Sequence, residues 1–388
     1  MSIITSLLDT DLYKLTMMQV IFHNYTSTNA EYTYKLRNSD DVYFDDYITR
    51  EISKEILELC NLRLLSHERK YLETLGYFKE NFLDFLEMFH LNIKHINVKY
   101  EEGIPEIDIK GPWLYVMLFE IYVMSIISEV YFRRTTNSDI EVEGLVRLEQ
   151  KIKLIQDHNN PSFKFAEFGG RRRFSKVWHG RVLKQLIESV PNNLVGTSNV
   201  MYAYEYGIRP IGTMAHEIIM GHQTQKCKLI DSQKEALQVW SEEYRGSLGT
   251  ALTDTICMDT FLKDFDLYFA KLFDGARHDS GDPSIWCRKL INHYYNLNID
   301  PKTKTAIFSD GLNIPSAIDL FETFHKEINV SFGIGTNLTN DVGVEPLNHV
   351  IKMTKCNGQD VAKISDSSGK TMCKNEEYVN YLKSVFNV

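Results

Sequence analysis

The sequence predicts an α/β fold, a barrel of alternating strands and helices preceded by an N-terminal α/β domain. Two observations carry this expectation. After about residue 135, short apolar runs recur and each ends in small, polar or charged residues, with helical patterns between many of them. Strand, polar tip and helix in repetition is the pattern of an α/β barrel. Before that point, amphipathic helices mix with a few strands. The expected boundaries are 1–135 for the N-terminal domain and 136–350 for the barrel, with a C-terminal tail, 351–388, that can pack against the first domain.

The N-terminal elements follow from their periods. Glu51 to Leu75 repeats apolar residues at three- and four-residue steps, which predicts a helix. Ile96 to Tyr100 alternates apolar with polar residues like a half-buried strand, and Ile104 to Ile109 does so more roughly, with Glu102-Gly103 as the turn between them. Trp113 to Tyr131 is apolar almost throughout, broken by Glu120 and Glu129. A membrane span needs about 20 apolar residues, and a carboxylate near its centre costs a few kcal/mol. A helix buried inside a large soluble protein fits better, and Gly111-Pro112 is a natural start for it.

The barrel elements follow from their tips. Leu194-Val195 runs into Gly196-Thr197-Ser198-Asn199, and Ile211 into Gly212-Thr213-Met214-Ala215-His216-Glu217. Ala251-Leu252 precedes Thr253-Asp254, and Phe273 precedes the charged stretch Asp274 to Asp282. Ala306-Ile307-Phe308 leads to Ser309-Asp310-Gly311, and Val330-Ser331-Phe332 to Gly333-Ile334-Gly335-Thr336-Asn337. In such barrels the reactive groups gather at the carboxyl ends of the strands. Plain connections would not need His, Arg and several Asp in so few positions.

The totals set limits. The 388 residues suffice for two domains of ~150 residues each, or for one large barrel with an appendage. With 43% apolar and 24% charged residues the composition is that of a globular protein, and 21 Phe and 21 Tyr supply large core surfaces. The formal charge of −9 argues against nucleic acid or an anionic membrane as the main partner. It leaves room for a small anionic substrate, because a local Arg cluster can oppose the global field. The six cysteines form no C-x-x-C pair and read as reduced thiols of a cytoplasmic protein. The first residues, MSIITSLLDTDLYKL, lack the basic and long apolar regions of a signal peptide.

Four constellations can carry chemistry. Phe168-Gly169-Gly170-Arg171-Arg172-Arg173 sets an aromatic and three cations beside two glycines. It reads as a solvated basic turn, as an RNA contact, or as an anion site where Gly admits the backbone and Arg forks onto phosphate. The acidic chain weakens the RNA reading. His216 stands at a strand end, next to a Glu217 that could orient it and hold it cationic. The zinc motif H-E-x-x-H fails, since position 220 is Met220 and the next histidine is His222. Arg277-His278-Asp279-Ser280-Gly281-Asp282-Pro283 opens into a helix, with Pro283 at an early position. It reads equally as a solvated cap or as carboxylates that meet ribose hydroxyls or waters on Mg²⁺. Gly333 to Asn337 is a Gly-rich turn late in the barrel, where phosphate is often held by backbone N–H groups. Gly369-Lys370-Thr371 looks like the end of a P-loop, but position 364 is Ile364 where that motif needs glycine, so ATP is not held that way.

Taken in order, these motifs resemble the nicotinate phosphoribosyltransferases, in the shorter bacterial and fungal type. The resemblance spans nearly the whole chain, from Leu8-Asp9-Thr10-Asp11-Leu12-Tyr13-Lys14 through the tips above to Ala362-Lys363-Ile364-Ser365-Asp366. It implies the type II phosphoribosyltransferase fold, an irregular, seven-stranded TIM-like barrel with an N-terminal α/β domain, and a homodimer with its active site at the subunit boundary. The reaction it implies joins nicotinate to phosphoribosyl pyrophosphate, giving nicotinate mononucleotide and pyrophosphate in NAD biosynthesis. ATP is implied as co-substrate, hydrolysed through a phosphorylated His216, and Mg²⁺ as cofactor.

The resemblance also assigns residues. Phe168 stacks on one face of the pyridine, and Tyr13 from the neighbouring chain on the other. Arg277 meets the ring's carboxylate, and His216, Arg277 and Asp279 form the catalytic set. Arg171, Asp310, Gly311, Gly335 and Thr336 contact substrate phosphates or ribose, with Lys363 able to cross from the partner chain. Asp254 and Asp279 are candidates for hydrated Mg²⁺ or ribose. Ser198 stands where nicotinamide-preferring relatives carry an acid, so its hydroxyl is expected to donate to the carboxylate and select acid over amide. Two other readings stand beside this one. The first is a sister enzyme that uses nicotinamide or quinolinate. The second is a binding module for RNA or protein on an inactive barrel, which has no chemical need for His216, Arg277 and Asp279 together.

Overall fold

The computed structural model describes residues 2–38, 42–101, 103–137, 139–367, 371, 373 and 375–388. Glu102 of the expected turn, and Gly369 and Lys370 of the P-loop-like stretch, lie outside the described residues. Eleven strands are present among the described residues: β1 (Asn29–Leu36), β2 (Ile96–Glu101), β3 (Ile104–Pro112), β4 (Phe165–Glu167), β5 (Leu194–Thr197), β6 (Thr250–Leu252), β7 (Gly275–His278), β8 (Thr305–Phe308), β9 (Asn329–Ile334), β10 (His349–Cys356) and β11 (Gln359–Asp360). They form two sheets with α-helices around them, so the chain is a mixed α/β protein whose parallel sheet is separate from its N-terminal domain.

The first sheet is antiparallel, in the order β11-β10-β1-β3-β2. In β1 every second residue, Ala30, Tyr32, Tyr34 and Leu36, is buried, and the same alternation buries Pro105, Ile107 and Ile109 in β3. This period of two leaves one face of the sheet for the core. Its pairing takes in the C-terminal part of the chain, since Tyr34 stands opposite Ile351 and Leu36 opposite His349. Ile96 to Tyr100 and Ile104 to Ile109 form the expected hairpin strands. The helical period over Glu51 to Leu75 resolves into two helices, Asp46–Leu59 and Ser66–Thr74. Glu68 accepts from the Leu65 N–H at 2.8 Å and so starts the second helix afresh.

The apolar stretch from Trp113 folds as helices Trp113–Val116 and Phe119–Thr135. Its length and apolar character would suffice to cross a membrane, yet 94% of its most apolar window is buried in the fold. Glu120 pairs with buried Lys14 at 2.6 Å. Glu129 accepts from Arg133 at 2.6 Å and from the Lys176 N–H at 2.8 Å. Both carboxylates are therefore compensated inside the protein.

The second sheet is parallel, in the order β5-β4-β9-β8-β7-β6. The pairing here does not complete the expected irregular barrel of seven strands. Six strands pair, and the hydrogen-bonded ladder stays open between edges β5 and β6. Residues 209–213 span this gap, with Pro210 in an isolated parallel bridge to Thr197 of β5. Thr197 N–H donates to Arg209 O at 3.2 Å, Ile211 N–H to Thr197 O at 2.8 Å, and Thr213 Oγ1 to Thr250 O at 2.8 Å. The run before Gly212 is thus not a strand, because Pro210 in its middle has no N–H to donate to a ladder. A second departure is at Phe273, which ends helix Leu267–Leu272, while the strand itself begins at Gly275. A Cβ on Gly275 would stand 1.9 Å from Thr305 O, so glycine is what lets β7 approach β8. The strand β4 before Phe168 carried no tip signal of its own, being only three residues long and wholly buried.

Candidate functional site

A cavity of about 520 Å³ opens where the carboxyl ends of the parallel strands face the antiparallel sheet. From the parallel sheet come Phe168 after β4, Ser198 after β5, Arg277 and Asp279 at the end of β7, Asp310 and Gly311 after β8, and Gly333, Gly335 and Thr336 at the end of β9. From the other side come Tyr13, Arg37, Glu120, Lys352 and Lys363. Of the residues singled out in the sequence, Tyr13, Phe168, Arg171, Ser198, His216, Arg277, Asp279, Asp310, Gly311, Gly335, Thr336 and Lys363 all line this one cavity. Asp254 does not line it but stands directly behind His216.

Local bonds place the two aromatic rings. Phe168 N–H donates to Ile334 O at 2.8 Å, which ties the turn after β4 to the end of β9. A Cβ on Gly333 would stand 2.4 Å from the Phe168 ring, so glycine leaves the space in which that ring lies. Tyr13 opens helix Leu12–Asn24, which is anchored by Leu12 N–H to Ser198 O at 2.8 Å. Glu167, fully buried, takes a hydrogen bond from Gly169 N–H, shares 2.8 Å contact with His179 Nε2 and accepts from Thr197 Oγ1 at 2.5 Å. It locks the turn that carries Phe168.

His216 opens helix His216–His222 and sits in a charged knot. Its Nε2 lies 2.8 Å from Asp254 Oδ1 and 3.7 Å from Asp279 Oδ2. Asp254 Oδ2 also accepts from Lys363 Nζ at 2.6 Å and from Ser280 Oγ at 2.5 Å. Burial, with Lys363 nearby, pushes the His216 pKa down to about 4, so the imidazole is neutral at pH 7. Against burial, the contacts from His216 and Lys363 hold Asp254 well below the usual carboxylate range. A neutral imidazole whose Nε2 is engaged by an anchored carboxylate offers its other nitrogen as a nucleophile.

Cations line the opposite wall. Among the described residues, no carboxylate forms an ion pair with Arg37, Arg171, Arg277 or Lys352, and the Arg277 Nε is buried without a partner. Burial pushes the Lys352 amine down to about 8. Arg171, Arg277 and Lys352 are half-buried and Arg37 is exposed, and cations that face one cavity in this way are suited to bind an anion there.

Several expectations change. Arg171 to Arg173 are no solvated turn. Arg171 faces the cavity, and Arg172 donates to His349 O at 2.8 and 3.0 Å. Arg173 is wholly buried in a two-pronged pair with Asp9 at 2.7 and 2.9 Å. Glu217 does not orient His216. Its carboxylate takes Lys14, Tyr32 and, at 2.7 Å, Trp113 Nε1, while Asp254 orients the imidazole. Tyr13, expected from a neighbouring chain, reaches the cavity from its own chain, because the Leu12 anchor to Ser198 sets it there. Lys363 likewise bonds Asp254 of its own chain. Three donors converge on Asp254, which makes it a poor ligand for a hydrated metal. Ser198 does not offer its proton to the cavity, since its Oγ donates to Asp11 Oδ1 at 2.6 Å.

Asp11, Arg37, Glu120 and Lys352 line the cavity without having been singled out in the sequence. Asp11 sits inside the LLDTDLYK motif, which was its only signal. Arg37 and Lys352 lie at the end of a strand and within one, where a single charge reads as an ordinary exposed face, and Glu120 reads only as a break in an apolar helix.

Comparison with known proteins agrees with this geometry. Residues 163–388 match the model of the nicotinate phosphoribosyltransferase (NAPRTase) family, and residues 8–128 match that of its N-terminal domain. The chain is 50% identical over 392 residues to a nicotinate phosphoribosyltransferase of Burkholderia mallei, covering 100% of this chain and 97% of that one. It is 50% identical over 395 residues to that of Acidovorax sp. (strain JS42), covering 100% and 99%. Among solved structures, nicotinate phosphoribosyltransferase from Vibrio cholerae superposes with a TM-score of 0.94 at 39% identity, covering 100% of this chain and 94% of that one. The putative nicotinate phosphoribosyltransferase from Saccharomyces cerevisiae superposes with a TM-score of 0.92 at 31% identity, covering 100% and 99%. Motif order, cavity and comparisons converge: the chain belongs to the nicotinate phosphoribosyltransferase family and is an enzyme of that activity.

Proposed function

We propose that this cavity joins nicotinate to phosphoribosyl pyrophosphate and that ATP drives the transfer by phosphorylating His216. The observation that carries the reading is that two aromatic rings and four cations with no carboxylate partner among the described residues line one cavity around a neutral histidine. The pyridine nitrogen gives its lone pair to the ribose anomeric carbon. The bond from that carbon to the pyrophosphate oxygen breaks, and its electron pair leaves with pyrophosphate. Charge develops on the sugar and the leaving group, so positioning and electrostatic stabilisation carry the catalysis. Phe168 and Tyr13 hold the ring, and Arg277 meets its carboxylate in a charge-assisted contact of about 1.5–3 kcal/mol. Arg171, Arg37, Lys352, Gly311, Gly335 and Thr336 face the phosphates, and Asp310 faces ribose.

In the ATP step the bond from the γ-phosphorus to the bridging oxygen breaks and ADP leaves with its electron pair, the phosphoryl group passes to the imidazole nitrogen that does not face Asp254, and water later removes it as phosphate. The new charge of roughly −1.5 to −2 on His216 reorders the cations around it. Mg²⁺ fits at Asp279, the carboxylate of the knot that faces the cavity, where it would neutralise phosphate charge. A homodimer is part of the same reading, and one chain already brings Tyr13 and Lys363 to this cavity. Six free thiols suit a cytoplasmic setting.

The test is pyrophosphate release with nicotinate, nicotinamide and quinolinate, each with and without ATP. Nicotinate is expected to be the best substrate and ATP to stimulate it. With γ-labelled ATP, acid-labile label should appear on the protein and vanish in His216→Ala, which should keep basal transfer. Equal release from quinolinate, or stimulation that survives in His216→Ala, would refute the reading.

A further inference from the structure

Ser198 and Asp11 stand at the base of both rings. Ser198 N–H donates to the O of Glu167, the residue before Phe168, and Ser198 O accepts from the N–H of Leu12, the residue before Tyr13. A flat ring held between Phe168 and Tyr13 therefore turns one edge toward this pair. Both side chains line the cavity, and both residues are less than 5% exposed.

The pair as it stands is poorly suited to a carboxylate ligand. The hydroxyl of Ser198 has one proton, and it is given to Asp11 Oδ1 at 2.6 Å. The serine then shows the cavity only lone pairs, with an anionic carboxylate behind it. A substrate carboxylate placed there would meet acceptor against acceptor and charge against like charge, which costs several kcal/mol. An amide would not, because its NH₂ can donate to the serine oxygen.

We propose that Asp11 makes the preference between acid and amide depend on protonation, admitting the acid by taking up a proton when nicotinate binds. Asp11 then donates to Ser198 Oγ, and Ser198 turns its own proton to the ring's carboxylate. The hydrogen-bond chain reverses direction, one proton enters from solvent, and no other bond changes. The surroundings favour this state. Burial raises the Asp11 pKa, and Glu167 on β4 and Glu120 on helix Phe119–Thr135 act in the same sense. Ser198 after β5 and Arg171 after β4 oppose them, and Tyr13 is the titratable neighbour on its own helix. Gly170 leaves Asp11 room, since a Cβ there would stand 3.2 Å from its Oδ1.

The inference rests on the proposed reaction, and the measurement separates the two. The KM for nicotinate is divided by the inhibition constant of nicotinamide as its competitor, at saturating phosphoribosyl pyrophosphate, from pH 7 to 9. Titrations of His216 and of the phosphates are common to both ligands and cancel. The ratio is expected to rise toward tenfold per pH unit at the alkaline end. In Asp11→Asn, whose amide donates at every pH, it should be flat. Calorimetric titration of the unmutated protein with nicotinate, in two buffers of different ionisation heat, reads the uptake without any variant and should approach one proton. A flat ratio in the unmutated protein, an unchanged slope in Asp11→Asn, or no proton uptake at any pH from 7 to 9 would overturn the role of Asp11 while leaving the reaction standing. Absence of nicotinate turnover by the unmutated protein would sink the reaction and this inference with it.

Discussion

At the scale of single residues, the chemistry depends on which partner each ionisable side chain finds. His216 is the clearest case. An unperturbed imidazole titrates near 6.5, and this one is pushed down to about 4 by burial and by Lys363. Because the folded value is the lower one, the unfolded chain binds the extra proton between these limits. The contribution of His216 to stability is therefore complete above pH 6.5 and is lost as the pH falls from 6.5 toward 4. The same shift keeps the nucleophile available in mild acid. Phosphorylation of His216 by labelled ATP is expected to proceed as fast at pH 6 as at pH 8. A rate that falls at pH 6 in step with an ordinary imidazole would show that burial and Lys363 do not hold it neutral.

At the scale of elements, the strand tips were legible because their residue types are costly in plain turns. Gly333, Gly335, Arg277 and Asp310 stand out by type, and the structure brings them to one cavity. What an isolated element cannot reveal is the direction of a side chain in a packed turn. Arg171, Arg172 and Arg173 are consecutive, yet one faces the cavity, one bonds a carbonyl of β10 and one pairs with Asp9. The packing of β9 against the turn after β4 gives a direct test. Gly333→Ala would put a methyl 2.4 Å from the Phe168 ring. Overpacking of this kind costs typically about 1–3 kcal/mol. The ring must also move, so KM for nicotinate should rise more than kcat falls, with Tm lowered. Unchanged KM would show that Phe168 does not hold the substrate ring. Arg173→Ala acts on a different link, because it strands Asp9 in the core. Breaking a buried pair costs about 3–5 kcal/mol, and urea unfolding should report a loss of that order.

At the scale of the whole molecule, an acidic chain with a formal charge of −9 places unpaired cations where its two sheets meet. The antiparallel sheet brings Arg37 and Lys352 and the parallel sheet brings Arg277 and Gly335, so neither sheet builds the cavity alone. One chain nevertheless supplies every residue named for it. Mixing Tyr13→Ala with Arg277→Ala, each impaired by itself, is expected to restore nothing. Recovery of activity in the mixture would show that Tyr13 serves a neighbouring chain's cavity.

The α/β class, the order of the tips and many of the residues that meet in the cavity can be read along the chain. These depend on local period and residue type, which a linear chain displays. The tertiary structure alone decided the partners. Lys14 meets Glu217 from 203 positions away, Arg173 meets Asp9 from 164, and Ser198 meets Asp11 from 187. Only packing sets such distances, and the field of those neighbours, more than the residue itself, decides whether a group is charged, neutral or free to bind.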